Sequence, residues 1–298
     1  MEYSIKNILK NMYGHFGSVF PVTATKILFR KYLGYKLDLK NPKTINAKMQ
    51  YLKLFAYKDN PLITQCADKY KVREYVKQCG CEEILIPLLG VWNSAAEIDF
   101  DNLPNKFVLK CNHGSGTNII CKDKNLLNKE ESRKLLNKWM GQDFGKQRVE
   151  MSYNHIKRKI IAEELIETEN DKSPNDYKIF CSYGKPKHLL VASDRDDRVK
   201  YDFFTPEWKW LPVRQDGPNK GEGKIPCPNN FSNMLEYASK LSKPFPLVRV
   251  DFYNENNTIY FGELTFLDSG GFAPFDPIEY DQIFGDLITE DIRKGIII

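Results

Sequence analysis

"VRVDFYNENNTIYFGELT", residues 248–265, reads as two strands joined by a polar turn at Asn254–Asn257. Strand side chains alternate between faces, so Val248, Val250 and Phe252 share one face, and Arg249 and Asp251 share the other. Glu263 joins Arg249 and Asp251 if odd positions pair with odd. A one-residue slip turns it to the opposite face, and both registers stay open. Two carboxylates and an arginine on one face suit Mg²⁺ with phosphate, because Mg²⁺ takes one or two protein carboxylates and completes its shell with water and phosphate oxygens. Arg249 would then neutralise charge during phosphoryl transfer. A solvated salt-bridged face is the plainer reading. A glycosidase-type carboxylate pair is another, which Arg249 fits less well.

Upstream, "KFVLKCNHGSGTN" (Lys106–Asn118) delivers a lysine into a glycine-rich turn, and "TNIIC" resumes as a strand. Lys106–Cys121 therefore reads as a β-hairpin. Glycines let backbone N–H groups approach an anion, and Lys110 adds a point charge beside them. The pattern is neither a Walker A loop nor a Gly-x-Gly-x-x-Gly fingerprint. An unliganded hairpin tip is the alternative. His113 reads as a surface hydrogen-bonding residue or a ligand contact.

Residues 1–105 read as mainly helical. "NPKTINAKMQYLKLFAYKD" opens with Pro and Thr-x-x-Ala, then places Met49, Leu52 and Phe55 at helical spacing. "CADKYKVREYVKQCG" reads as one further helix, closed by Gly80. "EEILIPLLGVW" reads as a strand interrupted by Pro87. "NKEESRKLLNKWM" reads as a helix and "RKIIAEELI" as a strand. From about residue 175 the chain is β-rich, with a hairpin around Gly184-Lys185-Pro186, and it closes on a turn-rich loop and a helix. The mixture indicates α+β, not a βαβ array.

With 298 residues the chain can bury a sizeable core in two or so sub-domains. The formal charge of +5 favours an anionic ligand such as a nucleotide. No basic run interleaved with aromatics points to nucleic acid. No apolar run is long enough to span a membrane, and the N-terminus lacks the features of a secretory signal. Seven cysteines without metal spacing read as reduced thiols, which leads to a cytoplasmic expectation.

"DKYKVREYV", "KFVLKCNHGSG", "IIAEEL", "DYKIF" and "RVDFY…YFGELTF", in that order, resemble the TupA-like ATP-grasp family, named for teichuronopeptide biosynthesis, from about Asn41 to Gly285. The resemblance implies an ATP-grasp fold that holds a nucleotide between two sheets. Its three parts would be an N-terminal substrate- and phosphate-contacting domain (1–105), a small β-rich lid (106–165) and a C-terminal antiparallel-sheet domain with the metal site (166–298). It implies ATP and Mg²⁺ as cofactors. Arg73 and Lys110 would contact phosphates. Asn112, His113, Gly114, Ser115 and Gly116 would form the mobile loop over them. Glu163, Glu164 and Leu165 would be the hinge that reads adenine and ribose, and Lys178 a further nucleotide contact. Asp251 and Glu263 would ligate metal, and Arg249 would steady the transferring group. Thr265 stands where many relatives carry a metal-binding asparagine, which leaves the second metal's coordination open.

The activity so implied is ADP-forming joining of a carboxylate to an amine through an acylphosphate. The substrate would be a uronic acid or amino sugar of a bacterial surface polysaccharide, with a lipid-linked acceptor at the inner membrane face as one form. Ser269, Gly270, Gly271, Asp194 and Arg195 are candidate substrate contacts. A polysaccharide glycosyltransferase is the alternative, with Asp194-Arg-Asp196 as its formal metal motif. A non-catalytic nucleotide-binding protein is a third reading, which the joint presence of Lys110, Arg249, Asp251 and Glu263 disfavours.

Overall fold

Every strand pairing in the two main sheets is antiparallel. A computed structural model describes residues 17, 19–143, 145, 151–169, 171–215 and 220–297. The smaller sheet runs β1 (Leu88–Trp92), β4 (Ile160–Glu164), β2 (Phe107–Cys111), β3 (Asn118–Cys121). The larger runs β11 (Thr258–Thr265), β10 (Val248–Glu255), β5 (Asp176–Ser182), β6 (Lys185–Ser193), β7 (Lys200–Phe204), β8 (Trp210–Leu211). A short ribbon pairs β9 (Arg214–Gln215) with β12 (Phe275–Asp276).

Helices precede and cover these sheets. Pro21 opens α1 (Pro21–Leu33), and Gly34 closes it in the left-handed conformation at φ 80°. The Thr44 hydroxyl caps α2 (Ile45–Phe55) by accepting from the Ala47 N–H at 3.2 Å, as the Thr-x-x-Ala spacing foretells. The segment read as one helix from Cys66 is instead α3 (Pro61–Ala67), a turn, and α4 (Val72–Gln78). The Asp68 carboxylate accepts from the Tyr70 and Lys71 amides, at 2.8 and 3.2 Å, and so competes with helix continuation. The segment "EEILIPLLGVW" likewise divides: Glu82–Ile84 is a 3₁₀ turn, and the strand begins only after Pro87.

β1 lies before residue 105 yet pairs with β4, so a lid starting at 106 lacks one of its strands. Phe107, Leu109 and Cys111 point from β2 into a separate small core with Ile98, Phe100 and Leu136 of α5 (Lys129–Met140). Val108 and Lys110 are left on the opposite face. In the larger sheet Val248, Val250 and Phe252 face the main core, where α6 (Phe231–Ser242) packs with Met234, Ala238 and Leu241. Arg249, Asp251, Lys178 and Asp176 lie on the other face. The β5–β6 turn falls at Tyr183–Gly184, with φ of 43° and 77°, one residue earlier than the sequence suggests. α7 (Glu279–Asp286) closes the chain's last stretch. The seven cysteines are all free thiols.

Candidate active site

The β10–β11 turn is the two residues Asn256 and Asn257, both at positive φ (50° and 59°), as a tight hairpin requires. That turn alone sets the register Glu255↔Thr258 to Phe252↔Phe261. Continued, it would put Glu263 opposite Val250, facing the core. A bulge between Asp251 and Phe252 on one side, and at Gly262 on the other, shifts the pairing to Asp251↔Glu263 and Arg249↔Thr265. A Cβ at Gly262 would stand 3.0 Å from the Asp251 carbonyl oxygen, so glycine suits the bulge.

Arg249 and Asp251 are buried, and buried charges need partners. Arg249 donates from Nε to Asp251 Oδ1 (2.7 Å) and from Nη2 to Asp251 Oδ2 (2.6 Å). Its Nη1 bonds the Asp268 carboxylate, and Nη2 also reaches Thr265 Oγ1 at 3.1 Å. The Thr265 hydroxyl donates in turn to Glu263 Oε1 at 3.2 Å, so it links the arginine to the glutamate. Lys178 lies opposite Asp251 in the β5–β10 register and bridges Asp251 (2.9 Å) and Asp176 (2.6 Å). Lys69 pairs with Glu263.

The titration tendencies follow from these contacts. Burial opposes charge on Lys178, but Asp251 and Asp176 outweigh it and raise its pKa. Burial likewise opposes charge on Glu263, and Lys69, Arg249 and Lys178 together hold it well below the usual carboxylate range. Asp176 is raised, mainly by burial, against the pull of Lys178.

On the small sheet, Lys110 Nζ donates to Glu163 Oε2 at 2.7 Å, and Arg73 of α4 donates to Glu163 Oε1 at 3.2 Å. Arg73, Lys110 and Glu163 thus form one cluster, with Glu163 inside the sheet, next to Glu164, the last residue of β4, after which Leu165 begins the connection. Asn112 is committed elsewhere. Its side chain donates to Asp68 (2.8 Å) and to the Lys157 carbonyl (3.0 Å) and accepts from the Lys159 N–H (2.6 Å), tying three chain segments together. His113 is buried, not on the surface as the sequence suggests. Burial, aided by the Arg158 charge, pushes its pKa below the ordinary value. Gly114 and Gly116 take positive φ (88° and 72°), and Ser115 and Gly116 are exposed at the hairpin tip.

A cleft of about 260 Å³ lies between the sheets. Val108, Ile120 and Ile86 give it apolar walls, and Ile120 keeps 51% of its surface exposed there. Lys110 enters from the small sheet, and Tyr253 from β10, two residues from Asp251. Glu164 and Leu165 line the edge. Arg195 also lines it, donating to the Pro174 carbonyl at 3.1 Å, so it sits on this side and not beside Ser269–Gly271. Asp194 pairs with Lys200 at 2.9 Å and Asp196 accepts from the Ser173 hydroxyl at 2.6 Å, so the Asp194-Arg-Asp196 motif is spent on loop contacts. Ser269, Gly270 and Gly271 follow Asp268 in a tight turn. Gln50 Nε2 donates to the Gly270 and Gly271 carbonyls, at 2.9 and 2.6 Å.

The sequence reading missed Lys69, Asp176 and Asp268. Strand alternation puts Asp176 on the face of Lys178, a signal that was there to use. Asp268 lies past the end of β11, and Lys69 lies in the turn mistaken for helix.

The donor chemistry fits Mg²⁺. Asp251 and Glu263 are facing oxygen donors on paired strands, and two carboxylates suffice when phosphate and water complete the shell. Among the described residues no three His, Cys, Asp or Glu side chains are grouped to hold a metal without such help.

The model of the family described as TupA-like ATPgrasp matches residues 47–289. Comparison with the curated proteins returns no match. Among solved structures, the chain is similar to N5-carboxyaminoimidazole synthetase from Staphylococcus aureus complexed with ADP (16% identity, 73% of this chain and 50% of that one, TM-score 0.45). It is also similar to L-amino acid ligase from Bacillus licheniformis (14% identity, 90% and 62%, TM-score 0.47). A third is D-alanine–D-alanine ligase from Bacillus anthracis complexed with ATP (14% identity, 77% and 67%, TM-score 0.44). The chain spans about half the length of the synthetase. With the family match covering most of its residues, the chain belongs to the TupA-like ATP-grasp family and has the α+β fold of that family.

Proposed function

We propose that the protein is an ADP-forming ligase that binds ATP in the cleft between the sheets and joins a carboxylate to an amine. The observation that carries this reading is the cleft itself: between apolar walls it takes Lys110 from one sheet and Tyr253 of β10, two residues from Asp251, from the other. Glu164 and Leu165 would hold the base edge. Lys110 and Arg73 would turn from Glu163 to the phosphates, as would backbone N–H groups of the Gly114–Gly116 tip. Asp251 and Glu263 would hold Mg²⁺, which supplies charge neutralisation at the phosphates when bound.

The substrate carboxylate attacks the γ-phosphorus and ADP departs, which gives an acylphosphate. The amine then attacks the acyl carbon and loses a proton as phosphate leaves. Arg249 and Lys178 would offset the carboxylates they pair with, Asp251, Asp268 and Asp176, and hold fixed cations at the floor of the site, so that charge moving onto the leaving ADP is met without reorganisation. The family association favours a uronic acid or amino sugar of a bacterial surface polysaccharide as substrate, met in the cytoplasm, in free or lipid-linked form. The test is incubation with ATP, Mg²⁺ and a panel of uronic acids and amino acids. ADP and phosphate should appear only when both a carboxylate and an amine are present. Turnover of a UDP-sugar without ATP, or ATP binding with no phosphate release in any mixture, would overturn the reading.

A further inference from the structure

Every oxygen of the two candidate metal carboxylates accepts a bond from the protein itself. Asp251 Oδ1 takes Arg249 Nε (2.7 Å), and Asp251 Oδ2 takes Arg249 Nη2 (2.6 Å) and Lys178 Nζ (2.9 Å). Glu263 Oε1 takes the Thr265 hydroxyl (3.2 Å), and Glu263 Oε2 takes Lys69 Nζ. The cationic donors differ in what else they hold. Arg249 also bonds Asp268 and Thr265, and Lys178 is shared with Asp176, so both keep partners if a metal draws Asp251 away. The Lys69 ammonium has Glu263 as its one partner among the described residues.

Lys69 also comes from elsewhere in the fold. It stands in the turn between α3 and α4, not on the large sheet, and its backbone N–H donates to the Asn112 carbonyl, just past β2, at 3.0 Å. Its side chain keeps 17% of its surface exposed and that of Glu263 33%, against 9% for Arg249 and 3% for Asp251. The Lys69–Glu263 pair is therefore the part of the network that a solute reaches first.

We infer that Lys69 is the resident counter-ion of Glu263: a divalent cation must displace its ammonium, so Mg²⁺ enters with the triphosphate and not ahead of it. The inference rests on the reading of Asp251 and Glu263 as the metal pair. Charge balance supports it. Four carboxylates, Asp176, Asp251, Glu263 and Asp268, meet three cations, Lys69, Lys178 and Arg249. At most one negative charge is left over, a poor return for an ion that gives up its water reluctantly. A triphosphate changes the balance, because it brings oxygens for the metal and an anionic partner for the released ammonium. The backbone bond to Asn112 keeps the Lys69 main chain fixed, so the freed ammonium stays within a side chain's length of Glu263 and meets the phosphates there.

The test is titration of the full chain with Mn²⁺, without nucleotide, followed by the electron paramagnetic resonance of the free ion. Mn²⁺ shares the octahedral oxygen preference of Mg²⁺. Wild type is compared with Lys69→Met, Lys69→Arg, Lys71→Met and the double variant Lys69→Met/Glu263→Gln. Each variant must first retain the wild-type circular dichroism, and where Lys69→Met does not, Lys69→Gln replaces it. Lys71 lies in the same turn and pairs with Glu74, so its loss controls for net charge alone. The expected result is weak binding in the wild type and an affinity raised about tenfold or more in Lys69→Met, as loss of one nearby unit charge would give. Lys69→Arg and Lys71→Met should bind as weakly as the wild type, and the double variant should lose the gain. Equal affinity in Lys69→Met and wild type, detectable binding in neither, the same gain in Lys69→Arg or Lys71→Met, or a gain that survives Glu263→Gln would overturn the inference. Because the readout needs neither ATP nor turnover, failure here is distinguishable from failure of the ligase reading.

Discussion

Asp251 and Glu263 stand opposite each other only because Gly262 is bulged out of the β10–β11 ladder. The turn at Asn256–Asn257 would otherwise send Glu263 into the core. The site thus depends on a residue with no side chain. Gly262→Val should lose turnover by about two orders of magnitude or more, with a stability cost of about 1–3 kcal/mol from the crowded Asp251 carbonyl. Steady-state assay and denaturant titration check this, and wild-type rates in a folded variant would deny the bulge its role.

Lys69 joins the two sheets. Its N–H donates to the Asn112 carbonyl at 3.0 Å, and its ammonium pairs with Glu263. Lys69→Met should keep the backbone bond and lose the charge. The expected outcome is a fall in kcat of about 10²-fold or more, with the melting temperature lowered by a few degrees at most. An unchanged kcat would show the pair to be structural only.

Lys110→Ala should weaken ATP affinity about 10–100-fold, as loss of one charge-assisted phosphate contact would. Calorimetric titration with ATP measures it. Equal affinity would remove Lys110 from the phosphate path, whatever becomes of Glu163.

Asp251→Asn and Glu263→Gln should each abolish turnover, with circular dichroism unchanged. Near-normal rates in either would remove the proposed metal role.

His188 makes a separate prediction about stability. Its ring is sandwiched between Phe180 and Phe284, with centroids at 4.4 and 3.9 Å, and neither nitrogen has a hydrogen-bond partner. Burial pushes its pKa down to about 3. The unfolded chain therefore takes up this proton near its ordinary value while the folded protein does not. Stability should fall as pH drops from about 6.5 towards 3, by about 1.4 kcal/mol per unit from this group. His188→Phe keeps the stack and should flatten that part of the profile. An unchanged slope in urea titrations between pH 6 and 4 would contradict the assignment.

Much of this was legible in the sequence because strand alternation leaves a strong mark. Val248, Val250 and Phe252 announce the core face, and Arg249 with Asp251 the other. Register was not legible, since one unpaired glycine reverses the face of every residue beyond it and leaves no periodic trace. Lys69 escaped notice for another reason: Asp68 breaks the helix through its side-chain hydrogen bonds, a local competition that apolar spacing does not report. The commitment of Asn112 to Asp68 and Lys159 is tertiary and visible only once the segments meet.

The central claim is that a triphosphate is clamped between Lys110 and the Asp251–Glu263 strand pair. A crystal grown with a non-hydrolysable ATP analogue and Mn²⁺, measured for anomalous scattering at the manganese edge, tests it most directly. The account predicts a manganese peak bridging the Asp251 and Glu263 carboxylates and the phosphates, with the base against Val108 and Ile120. A nucleotide bound elsewhere, or a manganese peak remote from both carboxylates, would contradict it.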